Sequence, residues 1–540
     1  MLEFIVCLII ALLGTLVLER FVQPTSGSRG LFHRISVLAA MPTLVYFVTI
    51  FMISYRPAFT AVATLITFSA IVVVNNAKFR ALHEPLVFSD FSLLRKAIEH
   101  PALYARHIGI ANIVGVAVAA ATAIVLAIAF EPPVIHRTDV TDFFPTIAYL
   151  AVVVGMLYAV IRGPFRSVFS QFLRSYGPSA DVRQDVDNLS LAVCLVFYFF
   201  LSKEQQPKTI KKKDAAPNSG QMSNPDGIVS APRFGPRSES SGGNLPSVVA
   251  VQIESFFDVR RVPIKLPTTL LPNWDSVGRE AVFRGRLDVP AWGANTMRTE
   301  FEFLSGLPNA ALGVHRFNPF MDLCKRPVWT LAHQLRAMGY RTTCVHPFDA
   351  SFFGRDKVYP NLGFDRFVDI AEFSSDDKFG PYVGDLAVAE KAIRLLDADD
   401  GPQFIFAITM ENHGRWENNR LEGFVGPAEI DLAPFDSREL ALYLRHLKNS
   451  DAMIGSLVRQ MQERTGDFVL CAFGDHLPSL PSIFDRVGFE DGRTDYFVWR
   501  KGGRIPRQLD LGAEILGRLV LDVILDETSH APAAHSAASR

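Results

Sequence analysis

Cysteine is scarce: five residues, at positions 7, 194, 324, 344 and 471, none in a C-x-x-C spacing. Neither a thiolate metal site nor a disulfide framework is signalled, and the redox compartment stays open. An excess of either charge is missing too, the net value being −1. With no basic stripe interleaved with aromatics, nucleic acid is excluded as an expected partner. Residues 2–18 lack a basic leading region and an A-x-A cleavage site, so this apolar run reads as an uncleaved membrane span rather than a signal peptide.

Apolar sequence is what the chain has in quantity. Its mean hydropathy is +0.19, high for a soluble protein, and its 540 residues exceed one ordinary domain. The apolar runs concentrate in residues 1–201. Besides 2–18, segments 35–54, 58–74, 108–130 and 145–161 approach the ~20 residues that cross a bilayer. Segment 189–201 is shorter, giving a transmembrane helix bundle of five or six spans. Arg20, Arg29 and Arg34, then Lys78, Arg80, Arg95, Lys96 and Arg106, then Arg162, Arg166, Arg174 and Arg183 fall in alternate loops. Basic loops stay cytoplasmic, and with either span count the C-terminal part is expected outside. The stretch 78–106 mixes basic and apolar residues around Glu84 and Asp90 and reads either as an amphipathic segment lying at the interface or as an ordinary surface helix.

Residues 202–246 are rich in Lys, Pro, Ser, Gly, Asn and Gln, with too little apolar surface to offset chain entropy. They read as a flexible tether, and 526–540 as a disordered tail. Between them, residues 247–525 form a globular α/β domain. Four apolar runs there each end in a polar residue: 248–253 in Glu254, 341–345 in His346, 404–409 shortly before His413, and 468–473 just before Asp475-His476. Continuous apolar runs suit strands buried on both faces of a parallel sheet. Amphipathic stretches at 328–338, 387–396 and 438–464 supply helices for both faces. Ligands in such sheets sit beyond the carboxyl ends of the strands. Carboxylates and imidazoles converging there can bind one divalent metal. Gly293-Ala-Asn295-Thr296 leads into a helix carrying Glu300, with Asn295 or Thr296 as its cap. Thr296 reads either as a cap only or as a hydroxyl facing the metal.

Ile253-Glu254-Ser255-Phe256, Gly293-Ala294-Asn295-Thr296 followed by Glu300-Phe301, Asn412-His413 and Gly474-Asp475-His476 resemble the lipoteichoic acid synthase group, with the phosphoglycerol transferases of periplasmic glucans. That group lies within the sulfatase and alkaline phosphatase superfamily. The resemblance implies a sulfatase-like catalytic domain in which Glu254, Thr296, Asp475 and His476 hold one divalent metal. Mn²⁺ or Mg²⁺ is expected, with Zn²⁺ a further candidate. Thr296 would be the catalytic nucleophile, and His346, Phe353, Arg355 and His413 would bind substrate. Phe353 stands where a compared family member has Trp. The implied reaction moves a phosphoglycerol headgroup from phosphatidylglycerol to an envelope or periplasmic glycan at the bacterial inner membrane, with the catalytic domain on the periplasmic or extracellular side. The alternatives are a phosphodiesterase or sulfatase, a phosphoethanolamine transferase, or an inactive scaffold. Position 296 is not the Cys that formylglycine sulfatases modify.

Overall fold

The computed structural model describes residues 2–24, 37–93, 110–134, 139–176, 181–204, 245–323, 328–398, 401–416, 420–421 and 438–526. The chain divides into two compact units, Met1–Lys208 and Thr209–Arg540. The expected tether and tail, and Cys324, fall almost wholly outside the described residues.

The first unit is helical. Helices α1 (Leu2–Glu19), α2 (Val37–Ser54), α3 (Pro57–Leu82), α4 (Ile110–Phe130) and α5 (Phe144–Ile161) fall on the five longer apolar runs. The amphipathic α6 (Arg166–Ser175) and α7 (Val182–Leu189) precede α8 (Leu191–Glu204). By length and composition Leu2–Glu19, Pro57–Leu82 and Thr141–Ile161 can cross a bilayer, while Ala39–Ser54, Val114–Leu126 and Leu191–Lys203 are shorter apolar helices. Small residues let α1 and α3 approach closely, Gly14 facing Leu65 and Ala11 packing with Ala61 and Phe47. Of the stretch 78–106, residues 78–93 are described. Lys78 belongs to α3, and the chain folds back so that its Nζ donates to Glu84 Oε1 at 2.8 Å, the Pro85 carbonyl at 2.9 Å and Asp90 Oδ2 at 2.8 Å. Residues 94–106 lie outside the described residues.

The second unit is built on one mixed sheet. Its long strands are β1 (Ser247–Ile253), β2 (Phe283–Asp288), β3 (Arg341–Val345), β4 (Arg366–Val368), β7 (Gln403–Ile408), β8 (Phe468–Gly474) and β9 (Thr494–Arg500). Short strands β10 (Arg507–Gln508) and β11 (Leu511–Gly512) pair with β2. The order is β10-β2-β9-β8-β1-β7-β3-β4. The parallel β8-β1-β7-β3 centre matches the four apolar runs. Every residue of β7 and β8 is buried, as continuous apolar strands require. Strand β9 runs antiparallel to both β8 and β2, while β2 is parallel to β10 and β11; neither β2 nor β9 was anticipated. In β2, Phe283, Gly285 and Leu287 alternate inward with outward Arg284 and Asp288. That two-residue period could have been read.

Helices α9 (Pro272–Glu280), α10 (Thr296–Ser305), α11 (Leu331–Ala337), α12 (Arg355–Asn361), α13 (Asp385–Leu396), α14 (Arg438–Glu463), α15 (Pro481–Val487) and α16 (Ala513–Ile524) complete the unit. Two apolar clusters separate the faces: Val249, Ile405, Leu470, Ile454 and Leu457 in one, Val248, Phe404, Val469, Phe303 and Leu516 in the other. Each fully buried side chain of this kind is worth about 1.5–3 kcal/mol. A two-stranded hairpin, β5 (Lys378–Phe379) and β6 (Tyr382–Val383), stands apart from the sheet.

Candidate active site

Strands β1 and β8 are neighbours in register, Ile253 opposite Gly474, so the next residues of each chain segment meet. Gly474 is required there: a Cβ on it would lie 1.7 Å from the Phe256 carbonyl oxygen. Glu254, Asp475 and His476 then converge, each offering one ligand atom with all three within 4.8 Å of one another. They are 2 %, 0 % and 2 % exposed.

The hydrogen bonds leave the ligating atoms free. Asp475 Oδ1 accepts from the amides of Ser255 at 2.8 Å and His476 at 2.7 Å. Glu254 Oε1 accepts the Ser255 hydroxyl at 2.9 Å. Asp475 Oδ2 and Glu254 Oε2 have no hydrogen-bond partner. His476 Nδ1 donates to the Leu477 carbonyl at 2.9 Å, which leaves Nε2 as a lone pair 3.3 Å from Asp475 Oδ2 and 3.5 Å from Glu254 Oε1. Two ligands bound to one ion at ~2.1 Å with tetrahedral spread sit about 3.4 Å apart. Buried carboxylate oxygens without partners are costly. These residues therefore fit a single divalent cation.

The electrostatics agree. Burial, then the Glu254 charge, pushes the Asp475 carboxyl up to about 7. Burial likewise raises Glu254. Burial opposes the charged form of His476, but Asp475 and Glu254 outweigh it and raise its pKa.

Thr296 is the first residue of α10, and its side chain favours the charged form of Asp475, against the larger effect of burial. The preceding Asn295 occupies the cap position in the left-handed region, φ 71°, and its side chain caps nothing. The Asn295 side chain thus takes none of the first amides of α10, although its carbonyl accepts the Arg298 amide at 2.9 Å. Gln252 Nε2 donates to the Thr296 carbonyl at 3.3 Å, and Thr299 Oγ1 to the Asp475 carbonyl at 2.7 Å, fixing this turn against the strand ends.

The expected substrate residues stand around this cluster in different ways. His346 is buried at the end of β3, its Nδ1 3.4 Å from the Ile408 carbonyl, and burial followed by Arg355 holds its pKa well below the usual imidazole value. His413 Nδ1 donates to the Gly414 carbonyl at 2.8 Å, and burial lowers its pKa to about 4. Both imidazoles are therefore neutral near pH 7. Arg355, expected to contact phosphate, is only 2 % exposed. Its Nη2 pairs with Glu300, which also accepts Tyr359 Oη at 2.5 Å, leaving Nε without a partner. Phe353 lies over this guanidinium, 5.5 Å from ring centre to Cζ, with φ 55°.

Several residues of the site were missed. Thr409 accepts the Glu254 amide at 3.1 Å, placing that ligand's backbone. Glu411 Oε1 accepts His446 Nδ1 at 2.9 Å and Asn449 Nδ2 at 2.7 Å, and its Oε2 accepts the Asp385 amide at 2.8 Å. Helix α14 therefore reaches Glu411 through His446, while its Tyr443 hydroxyl donates to the Ser255 carbonyl at 3.0 Å. No local motif marks Arg420. The Gly380-Pro381 turn beside Tyr382 was legible.

The fold and site define a class. The chain belongs to the sulfatase family, whose profile matches residues 246–523. The resemblance read from the motifs agrees with this at the level of the sulfatase superfamily. Among relatives, the capsular polysaccharide biosynthesis protein RkpI of Rhizobium meliloti is 27% identical over 86% of this chain and 81% of its own. A putative cyclic beta-1,2-glucan modification protein of the same organism is 32% identical, but over 46% of this chain and 38% of its own. The lipooligosaccharide phosphoethanolamine transferase A (EptA) of Neisseria meningitidis, an integral membrane protein, shares the fold over 97% of this chain and 95% of its own, with TM-score 0.52 and 12% identity.

Proposed function

We propose that this protein is a membrane-anchored transferase that moves a phosphoglycerol headgroup from phosphatidylglycerol to an envelope glycan. One observation carries the reading: a buried Glu254–Asp475–His476 cluster, with two carboxylate oxygens unpartnered, lies beside a Thr at a helix N-terminus. Glu254, Asp475, His476 and the Thr296 hydroxyl would hold the cation. When bound, a divalent ion supplies Lewis-acid stabilisation of the Thr oxygen and the phosphoryl oxygens. Residues 1–201 keep the domain at the bilayer, where the lipid donor resides, and the 202–246 segment tethers it on the outer side. The glycan acceptor is supported by the relative named for cyclic beta-1,2-glucan modification.

In the first step Thr296 Oγ forms a bond to phosphorus and the bond from phosphorus to the diacylglycerol oxygen breaks. The Thr296 proton leaves to solvent, and diacylglycerol leaves protonated by solvent. The first amides of α10 oppose charge on the phosphoryl oxygens. In the second step the acceptor hydroxyl displaces Thr296 Oγ, which takes its proton back from solvent. The acceptor's proton goes to His413 Nε2, since Nδ1 is committed to the Gly414 carbonyl at 2.8 Å. Mass spectrometry of protein incubated with phosphatidylglycerol vesicles tests this: phosphoglycerol on Thr296 is expected, while a phosphoethanolamine adduct or release to water alone would assign a different reaction.

A further inference from the structure

The site has a second polar wall that neither the metal cluster nor the nucleophile uses. Tyr382, on β6, places its hydroxyl 3.5 Å from His413 Nδ1, with the rings 5.5 Å apart. Because that nitrogen already donates to the Gly414 carbonyl, the Tyr382 hydroxyl holds only a long contact and keeps its own proton to offer. Arg420 lies over the Tyr382 ring, its Cζ 5.5 Å from the centre.

Four bonds fix that guanidinium. Nη1 donates to the carbonyls of His413 at 2.6 Å and Arg415 at 2.9 Å, Nη2 to the Glu411 carbonyl at 2.5 Å, and Nε to His446 Nε2 at 2.9 Å. Each acceptor is neutral, and among the described residues no carboxylate forms an ion pair with Arg420, so these bonds hold the loop that carries His413 and leave the charge in place. The hairpin turn presses on the same residue: a Cβ at Gly380, φ 69°, would lie 3.1 Å from the Arg420 carbonyl oxygen. Arg420 thus ties Tyr382 and His413 into one surface, and its charge is felt at Glu254. A phenol and a neutral imidazole beside a fixed cation suit an uncharged hydroxyl and oppose an ammonium group.

We propose that Tyr382 is a specificity-determining contact, reading a hydroxyl on the phosphate-bearing group, and that Arg420 is the positioning residue that holds it and His413 and turns the site against a cationic headgroup. This rests on the phosphotransfer reading above and narrows the donor to polyol phosphates over amino-alcohol phosphates.

The test is calorimetric titration of the full-length, Mn²⁺-loaded protein in detergent with sn-glycerol 1-phosphate, phosphoethanolamine and inorganic phosphate. The wild type is expected to prefer glycerol phosphate over phosphoethanolamine by roughly tenfold or more. Tyr382→Phe should lose most of that preference while inorganic phosphate binding stays within about twofold, because one hydroxyl is removed and nothing else. Arg420→Gln should lower the same ratio and Arg420→Lys restore part of it. Equal wild-type affinities, or an undiminished preference in Tyr382→Phe, overturns the assignment. Equal weakening of inorganic and glycerol phosphate in Arg420→Gln overturns the role of Arg420. Failure of the transferase reading shows separately, as no diacylglycerol released from phosphatidylglycerol vesicles by the wild type, whatever the titrations give.

Discussion

The Asp475 carboxylate and the His476 imidazole are neighbours in sequence yet meet side by side, Oδ2 to Nε2 at 3.3 Å, because each spends its other polar atom on the backbone. This leaves two electron-pair donors facing one another in a buried site. A cation between them relieves the conflict, and its binding should depend on pH. The Asp475 carboxyl is pushed up to about 7 from an ordinary 3.8, so the metal-free folded protein holds protons that the unfolded chain releases in that interval. Metal-free stability should therefore fall as pH rises from about 4 to 7. Metal competes with those protons, so the rise in Tm on adding Mn²⁺ should be several degrees larger at pH 8 than at pH 5. Thermal denaturation of chelator-treated and reloaded protein at both pH values checks this.

Gly474→Ala should prevent folding of the catalytic domain or cost more than about 3 kcal/mol, because backbone rather than a flexible side chain blocks the Cβ. Denaturant unfolding followed by the fluorescence of the buried Trp499 would measure it.

Arg355 is buried against Glu300, so it serves the fold before it serves any substrate. Arg355→Gln leaves the Glu300 charge uncompensated and should destabilise the domain by about 3–5 kcal/mol. The double variant Arg355→Met with Glu300→Leu should recover much of that loss. Denaturant midpoints of the single and double variants decide it.

Glu302 shows the opposite behaviour. Burial pushes its carboxyl up to about 8, so it is mostly protonated at pH 7, and its Oε1 accepts the Asn309 amide at 2.6 Å. Glu302→Gln keeps that acceptor and should change stability by less than about 1 kcal/mol at pH 7. The wild type should lose more stability than the variant as pH rises from about 4.5 to 8, the difference being the contribution of Glu302.

The sequence showed the parallel centre of the sheet because strands buried on both faces must be continuously apolar, as β7 and β8 are. It placed Glu254, Thr296, Asp475 and His476 because each follows a strand or opens a helix, positions that topology gathers at one edge. It did not show β2 and β9, whose partners are fixed by a distant antiparallel pairing. Nor did it show that Arg355 faces Glu300, or that Arg420 reaches four acceptors on other segments. Such contacts depend on loop geometry, and no local period records them. Nor did the sequence show that Lys78, a charge on an apolar helix, is matched by Glu84 and Asp90 once the chain turns back.

The most direct measurement is the metal content of purified full-length protein by elemental mass spectrometry, after dialysis against Mn²⁺. One ion per chain is expected in the wild type and in Thr296→Ala, which keeps Glu254, Asp475 and His476. Less than about a tenth of that is expected in Asp475→Ala and Glu254→Ala. Equal metal in all four proteins, or none in the wild type, would contradict a cation held between these side chains.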